Sequence, residues 1–258
     1  MRRYGGLVVA MMAMAGGAAF GQGDPPAAET GEVSRKVSRT HRYQYALVFP
    51  PGYEADGEKR WPMVVDLHGS GRPGLETLKR EGAEREDRFI WLLPRHDGRG
   101  WWDAATLAKL IERVRDKHRV DHDRVSVMGF SMGGFGAWEL AAEYPHLVAA
   151  IAPLAGGGNP FQARRLVHVP VWAFHGKRDE TVGVELAEAM VDAVERAGGD
   201  ARLTVYPDVG HGCRELVMSN ARLYEWLAAQ RRGTRARDEW VRRAARAPRL
   251  EQTPTLDG

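Results

Sequence analysis

A chain of 258 residues, 43% of them hydrophobic, has enough apolar material for one large packed domain or two small ones. Its single cysteine, Cys213, rules out an intramolecular disulfide framework, so stability must come from the core. The formal charge of +3 is a property of the end of the chain: residues 231–258 hold eight Arg against four acids, and everything before them sums to about −1. That distribution argues against a nucleic-acid-binding face and for an Arg-rich, solvated tail.

At the start, Arg2 and Arg3 precede an apolar run over residues 7–20, and Ala19-Phe20-Gly21 offers small residues at a cleavage position. The run is shorter than the roughly 20 residues that span a bilayer. Residues 1–21 are therefore expected to be a signal peptide. Export to the periplasm or medium follows, with no membrane span after cleavage. Residues 22–40 read as a polar linker, 41–230 as the folded domain and 231–258 as the tail.

Within the domain, short apolar runs rich in β-branched residues alternate with helical patterns, which predicts a mostly parallel twisted sheet with helices on both faces. The runs at 43–49, 63–67, 89–93, 125–128, 149–153, 171–174 and 202–206 are the predicted strands. Helices are predicted over 104–118, 132–144, 184–197 and 215–230. The third carries Leu186, Met190, Val191 and Val194 as a core-facing stripe, and Gly198-Gly199 is its stop signal. Only about 17 residues separate the strand ending near 153 from the one starting at 171. That is too few for a large cap domain, so an open cleft is expected.

The strongest chemical signal is Gly129-Phe130-Ser131-Met132-Gly133, followed by Gly134, placed where a predicted strand ends and a helix begins. A nucleophile elbow needs that setting: a tight turn lifts the Ser hydroxyl above the sheet, and glycines two residues to either side avoid collisions with neighbouring backbone. A serine hydroxyl is a weak nucleophile at neutral pH, so it requires a base, and the base requires an orienting carboxylate. His211, in the loop 207–212 after the last strand, is the expected base. The expected acid is Asp179, which leaves the strand 171–174 on the same edge as Ser131; Glu180 is its rival. One oxyanion donor should be the Met132 N–H. The second falls in the turn after the 63–67 strand and is assigned to Ser70, with Gly69 or Gly71 as alternatives. His68 and His175, both in His-Gly turns, read as structural. Trp101 and Trp102 lie on the catalytic edge, where either could line an acyl or sugar pocket or simply pack in the core.

These segments resemble the α/β-hydrolase superfamily, and within it the secreted bacterial phospholipase/carboxylesterase and prolyl-oligopeptidase-like ("predicted peptidase") esterases. The resemblance runs through Gly129–134, Ala150–Gly158, Leu67-His68-Gly69, Phe174-His175-Gly176 with Asp179, and Gly210-His211, and covers roughly residues 43–230. It implies an α/β-hydrolase fold and a serine carboxylesterase acting through Ser131, Asp179 and His211. It also implies no metal or organic cofactor, and a small-molecule or polysaccharide-linked ester as substrate. A small serine peptidase or acyltransferase would use the same residues. Related feruloyl and acetyl-xylan esterases often carry Cys where Ser70 stands here.

Overall fold

The computed structural model describes residues 41–54, 57–71, 73–83, 85, 88–96 and 100–233. The signal peptide and linker expected over 1–40, and the tail from 234 onward, lie outside the described residues.

Seven strands form one sheet: β1 (Gln44–Val48), β2 (Trp61–Leu67), β3 (Ile90–Arg95), β4 (Val120–Phe130), β5 (Ala150–Leu154), β6 (Val171–Gly176) and β7 (Ala201–Tyr206). Their spatial order is β1-β3-β2-β4-β5-β6-β7. β1 runs antiparallel to β3, and every other pairing is parallel. The central strands are apolar on both faces because helices cover both faces. In β2 all seven residues are buried; Met63, Val65 and Leu67 enter one core and Val64 the other.

The first core packs against α2 (Ala104–Lys117), α3 (Met132–Glu143) and α4 (Glu185–Arg196). The second packs against α1 (Leu75–Ala83), α5 (Arg214–Met218) and α6 (Ala221–Ala229). Asp103 caps α2 by accepting a 2.7 Å hydrogen bond from the Thr106 N–H. α4 stops just before Gly198, whose φ of +87° ends the helix as its position in the sequence anticipates.

Three features differ from expectation. Among its described side chains helix α1 buries one apolar residue fully, Leu78, and so leaves little periodic signal. The helix expected over 215–230 is two helices, because Asn220 turns its side chain onto the Arg222 N–H and starts α6 afresh. Strand β4 begins at Val120 rather than 125; its polar start, Asp121 to Arg124, falls in a register shift between the Trp61–Val120 and Met63–Val125 pairs.

Arg231 and Arg232, counted with the tail in the sequence, are held on the domain. Arg231 bridges Asp121 at 2.7 Å and Asp123 at 3.2 Å, and Arg232 meets Asp123 at 2.6 Å. The acids at the polar start of β4 explain why these two arginines dock. Between β5 and β6 the chain makes only a 3-10 segment, Pro160–Leu166, and no cap domain. Among the described residues no helix is long and apolar enough to cross a membrane.

Chain order places the site. From β2 the chain moves outward to β3, then crosses back over β2 to β4 on its other side. The carboxyl ends of β2 and β4 thus flank the point where the winding reverses, where open α/β sheets form their crevice. Ser131 directly follows β4.

Candidate active site

Ser131 sits between β4 and α3 with φ 55° and ψ −118°, a backbone conformation that non-glycine residues rarely adopt. The strain is held from both sides. Its N–H donates to the Leu154 carbonyl at 2.9 Å, and its carbonyl accepts from the Phe135 N–H at 3.1 Å. Gly133 is required here, since a Cβ would collide with the Leu67 carbonyl oxygen of β2.

A serine at a helix N-cap ordinarily accepts a backbone N–H with its side chain. Ser131 makes no such cap bond. Its Oγ lies 2.9 Å from His211 Nε2 instead. The first N–H groups of α3, beginning with Met132, are thereby left without a side-chain cap beside the hydroxyl, at the positive end of the helix dipole.

The other imidazole nitrogen, Nδ1, lies 2.8 Å from Asp179 Oδ2. Since a carboxylate accepts, Nδ1 carries the proton, and Nε2 is left to accept from the Ser131 hydroxyl. Phe130 braces the imidazole, ring centroids 4.9 Å apart. Burial raises the Asp179 carboxyl, but hydrogen bonds from the Val182 N–H, from His211 and from the Thr181 N–H outweigh it, and the pKa falls below the usual value. The Asp179 side chain is fully buried, whereas Glu180 points to solvent. Geometry thus separates the two carboxylates between which the sequence left a choice.

Two loops must meet for this contact, and backbone bonds join them. The Arg178 N–H donates to the Val209 carbonyl and the Lys177 N–H to the Tyr206 carbonyl, both at 2.9 Å. Gly176 permits the approach, because any Cβ there would collide with the Val209 and Gly210 carbonyl oxygens. His175, also fully buried, places Nε2 2.8 Å from the Val182 carbonyl and 3.3 Å from Asp179 Oδ2. The carbonyl accepts, so Nε2–H donates to Val182, and the ring lies beside the Asp179 carboxylate without donating to it.

The turn after β2 also reaches the nucleophile. A Cβ built on Gly69 would lie 3.5 Å from the Ser131 Cβ, so this backbone is one van der Waals contact away. His68 fixes the turn: Nδ1–H donates to the Gly69 carbonyl at 2.6 Å and Nε2 accepts from the His96 N–H at 3.0 Å. Burial is the main cause that lowers its pKa, so the ring is neutral at pH 7, which its acceptor role requires. Ser70, the expected oxyanion residue, lies exposed on this turn, next to Gly69.

The two tryptophans part ways. Trp101 is 60% exposed and meets Phe135 nearly perpendicularly, centroids 5.2 Å apart. Trp102 is only 2% exposed and donates to the His68 carbonyl at 3.2 Å. The expectation that Trp102 could contact substrate is therefore corrected: it is a core residue that props the His68 turn.

The sequence reading missed a charged cluster beneath the site. Asp66, 4% exposed, accepts from Arg85 at 2.8 Å and Arg214 at 3.1 Å, tying β2 to the helix that follows the His211 loop. A lone acid inside the apolar run 63–67 was the available signal.

The chain is similar to several known proteins. The chain is 33% identical over 115 residues to poly(3-hydroxyalkanoate) depolymerase C of Paucimonas lemoignei, covering 37% of this chain and 28% of that protein. It is 26% identical over 141 residues to a bifunctional acetylxylan esterase/xylanase of Neocallimastix patriciarum, covering 50% and 21%. In both cases the match spans less than a third of the relative's length. Among solved structures, a thermostable esterase superposes with a TM-score of 0.67 at 26% identity, over 74% of this chain and 60% of that one. The model of the dienelactone hydrolase family, a branch of the α/β-hydrolases, matches residues 92–240, more than half of the sequence, and the chain belongs to that family.

Proposed function

We infer that this protein is a serine carboxylesterase that works through an acyl-enzyme. The observation that carries the reading is the unbroken series Ser131 Oγ, His211 Nε2, His211 Nδ1, Asp179 Oδ2, with contacts of 2.9 and 2.8 Å at the sheet edge where the winding reverses. Ser131 Oγ attacks the ester carbonyl while His211 Nε2 accepts its proton. Asp179 keeps the ring in the productive tautomer and stabilises the imidazolium. The tetrahedral oxyanion is held by the Met132 N–H and an N–H of the Gly69-Ser70 turn. Collapse expels the alcohol, which takes the proton from His211, and water then repeats the sequence to release the acid.

The substrate is a soluble or polysaccharide-borne ester. The short 3-10 segment between β5 and β6 favours this over a long acyl chain, because it leaves no lid under which a chain could be buried. The apolar run behind Arg2 and Arg3 supports export as the route by which the enzyme meets such material.

Short-chain nitrophenyl esters assayed beside peptide amides, with Ser131→Ala as control, test the reading. Ester turnover that vanishes in the control is expected, together with labelling of the parent by a fluorophosphonate. Faster cleavage of the amides would assign a peptidase instead, and an unlabelled, inactive parent would remove the enzymatic reading.

A further inference from the structure

A cavity of about 340 Å³ runs along α3 away from Ser131. Phe135, Trp138, Glu139 and Ala142 form one stripe of that helix and one wall of the cavity. At ~1.5 Å per residue, the wall begins about 6 Å along the helix axis from Ser131 and ends about 16 Å from it. The segment after β5 lines it too, with Gly157, Gly158, Asn159 and Gln162, and so does Trp101. The space therefore starts one helical turn from the nucleophile and leads away from it.

We propose that this cavity is a glycosyl subsite, binding a neutral sugar ring of the ester substrate remote from the bond that is cleaved. The proposal rests on Ser131 being the nucleophile and adds the identity of what is held beside it.

The lining selects this chemistry over its rivals. Trp101, which lines the cavity, leaves most of its indole uncovered at 60% exposure. A large apolar ring in water is what the C–H face of a pyranose can cover. The side chains of Glu139 and Gln162 engage no hydrogen bond or ion pair among the described residues. Asn159 spends Oδ1 on the Phe161 N–H, which leaves its amide N–H₂ to donate. A hydrocarbon ligand would strand these polar groups, whereas vicinal hydroxyls satisfy them. An anionic ligand is opposed by the local charge: Glu139 is raised in pKa by burial and by the neighbouring charges of Glu143 and Asp103. A cation would want several open aromatic faces, and Trp138 is only 1% exposed.

The first measurement uses the Ser131→Ala chain, which cannot turn substrate over. It is titrated calorimetrically with β-linked tetraoses of xylose, mannose and glucose, and with choline, all at millimolar concentration. Binding of at least one tetraose, weakened about tenfold by adding Trp101→Ala, is expected. The second uses the active enzyme. The ratio of kcat/KM on the acetylated tetraose to kcat/KM on nitrophenyl acetate should fall about tenfold in Trp101→Ala and in Gln162→Ala. Both side chains are at least partly exposed, so both variants should fold, which circular dichroism checks.

No tetraose binding together with unchanged ratios overturns the proposal, and so does binding of choline alone. If the parent hydrolyses no ester, the esterase reading fails while the titration still decides what the cavity holds.

Discussion

His175 Nε2 lies 3.3 Å from Asp179 Oδ2, the same oxygen that meets His211 Nδ1 at 2.8 Å, so one carboxylate oxygen lies between two imidazoles and is hydrogen-bonded by His211. Both the His175 and the Asp179 side chains are fully buried, and the His175 Nε2–H is given to the Val182 carbonyl at 2.8 Å. Asp179 is anchored through Oδ2 by His211 and through Oδ1 by the Thr181 and Val182 N–H groups, and His175 holds the Val182 end of that loop.

Replacing His175 by Phe keeps the volume but removes the donor to the Val182 carbonyl, and so loosens the loop whose N–H groups grip Asp179. The carboxylate then gains freedom to rotate away from His211. A loss of about tenfold in kcat with KM nearly unchanged is expected, along with a stability cost of about 1–3 kcal/mol. His175→Gln, which retains an N–H, should recover part of the kcat. Steady-state kinetics on a nitrophenyl ester and thermal unfolding read both effects, and an equal loss in the Gln variant would point to packing alone.

Ser131 combines a reactive position with a strained backbone, φ 55°. Ser131→Ala removes the nucleophile but keeps the strain, and activity should fall by about 10⁴-fold or more with little change in melting temperature. Ser131→Gly should be equally inactive yet more stable, by about 1 kcal/mol or roughly 2–4 °C in a domain of this size. A glycine variant that melts no higher than the alanine one would mean that the elbow is relaxed.

Asp179→Asn should lower kcat by about 10³–10⁴-fold, because an amide N–H₂ turned toward Nδ1 favours the wrong tautomer. Glu180→Gln should leave it within a factor of two or so of the parent. The pH dependence has a definite sign. The folded-state pKa of Asp179 lies below its unfolded value, so the carboxylate stabilises the fold above that unfolded value, near pH 4, and the contribution disappears as pH drops through the folded pKa. The stability gap between parent and Asp179→Asn should therefore narrow in acid denaturation below about pH 4. A gap that widens there would contradict the hydrogen-bond assignment.

Asp66 offers a test away from the chemistry. Its Oδ2 is shared by Arg85 and Arg214, with side-chain exposures of 2%, 8% and 21%. Removing the acid in Asp66→Ala leaves both guanidinium groups with only Glu81, at 3.8–3.9 Å, as counter-charge and should cost about 3 kcal/mol. Urea unfolding midpoints measure this, and a cost below about 1 kcal/mol would mean that water already reaches the arginines.

Much of the framework was legible in the sequence because the relevant physics is local. Short apolar runs rich in β-branched residues marked all seven strands. The Gly-x-Ser-x-Gly pattern, placed between strand and helix, marked the elbow. The second half of β4 was legible because it is apolar, and its first half was not because Asp121 to Arg124 read as a loop. Helix α1 escaped for want of a stripe, and the break between α5 and α6 was hidden in a single asparagine cap.

The sequence by itself determined the order of elements, the residue types able to make a nucleophile, base and acid, and the absence of room for a large cap between β5 and β6. Tertiary structure alone decided which residues touch. It put Asp179 and not Glu180 against His211, buried Trp102 while leaving Trp101 in water, and paired Asp66 with arginines 19 and 148 residues away. The reason is that a strand or helix is selected by neighbours in the chain. A side chain's partner is selected by where the winding of the sheet brings distant loops together, and no short stretch of sequence carries that distance.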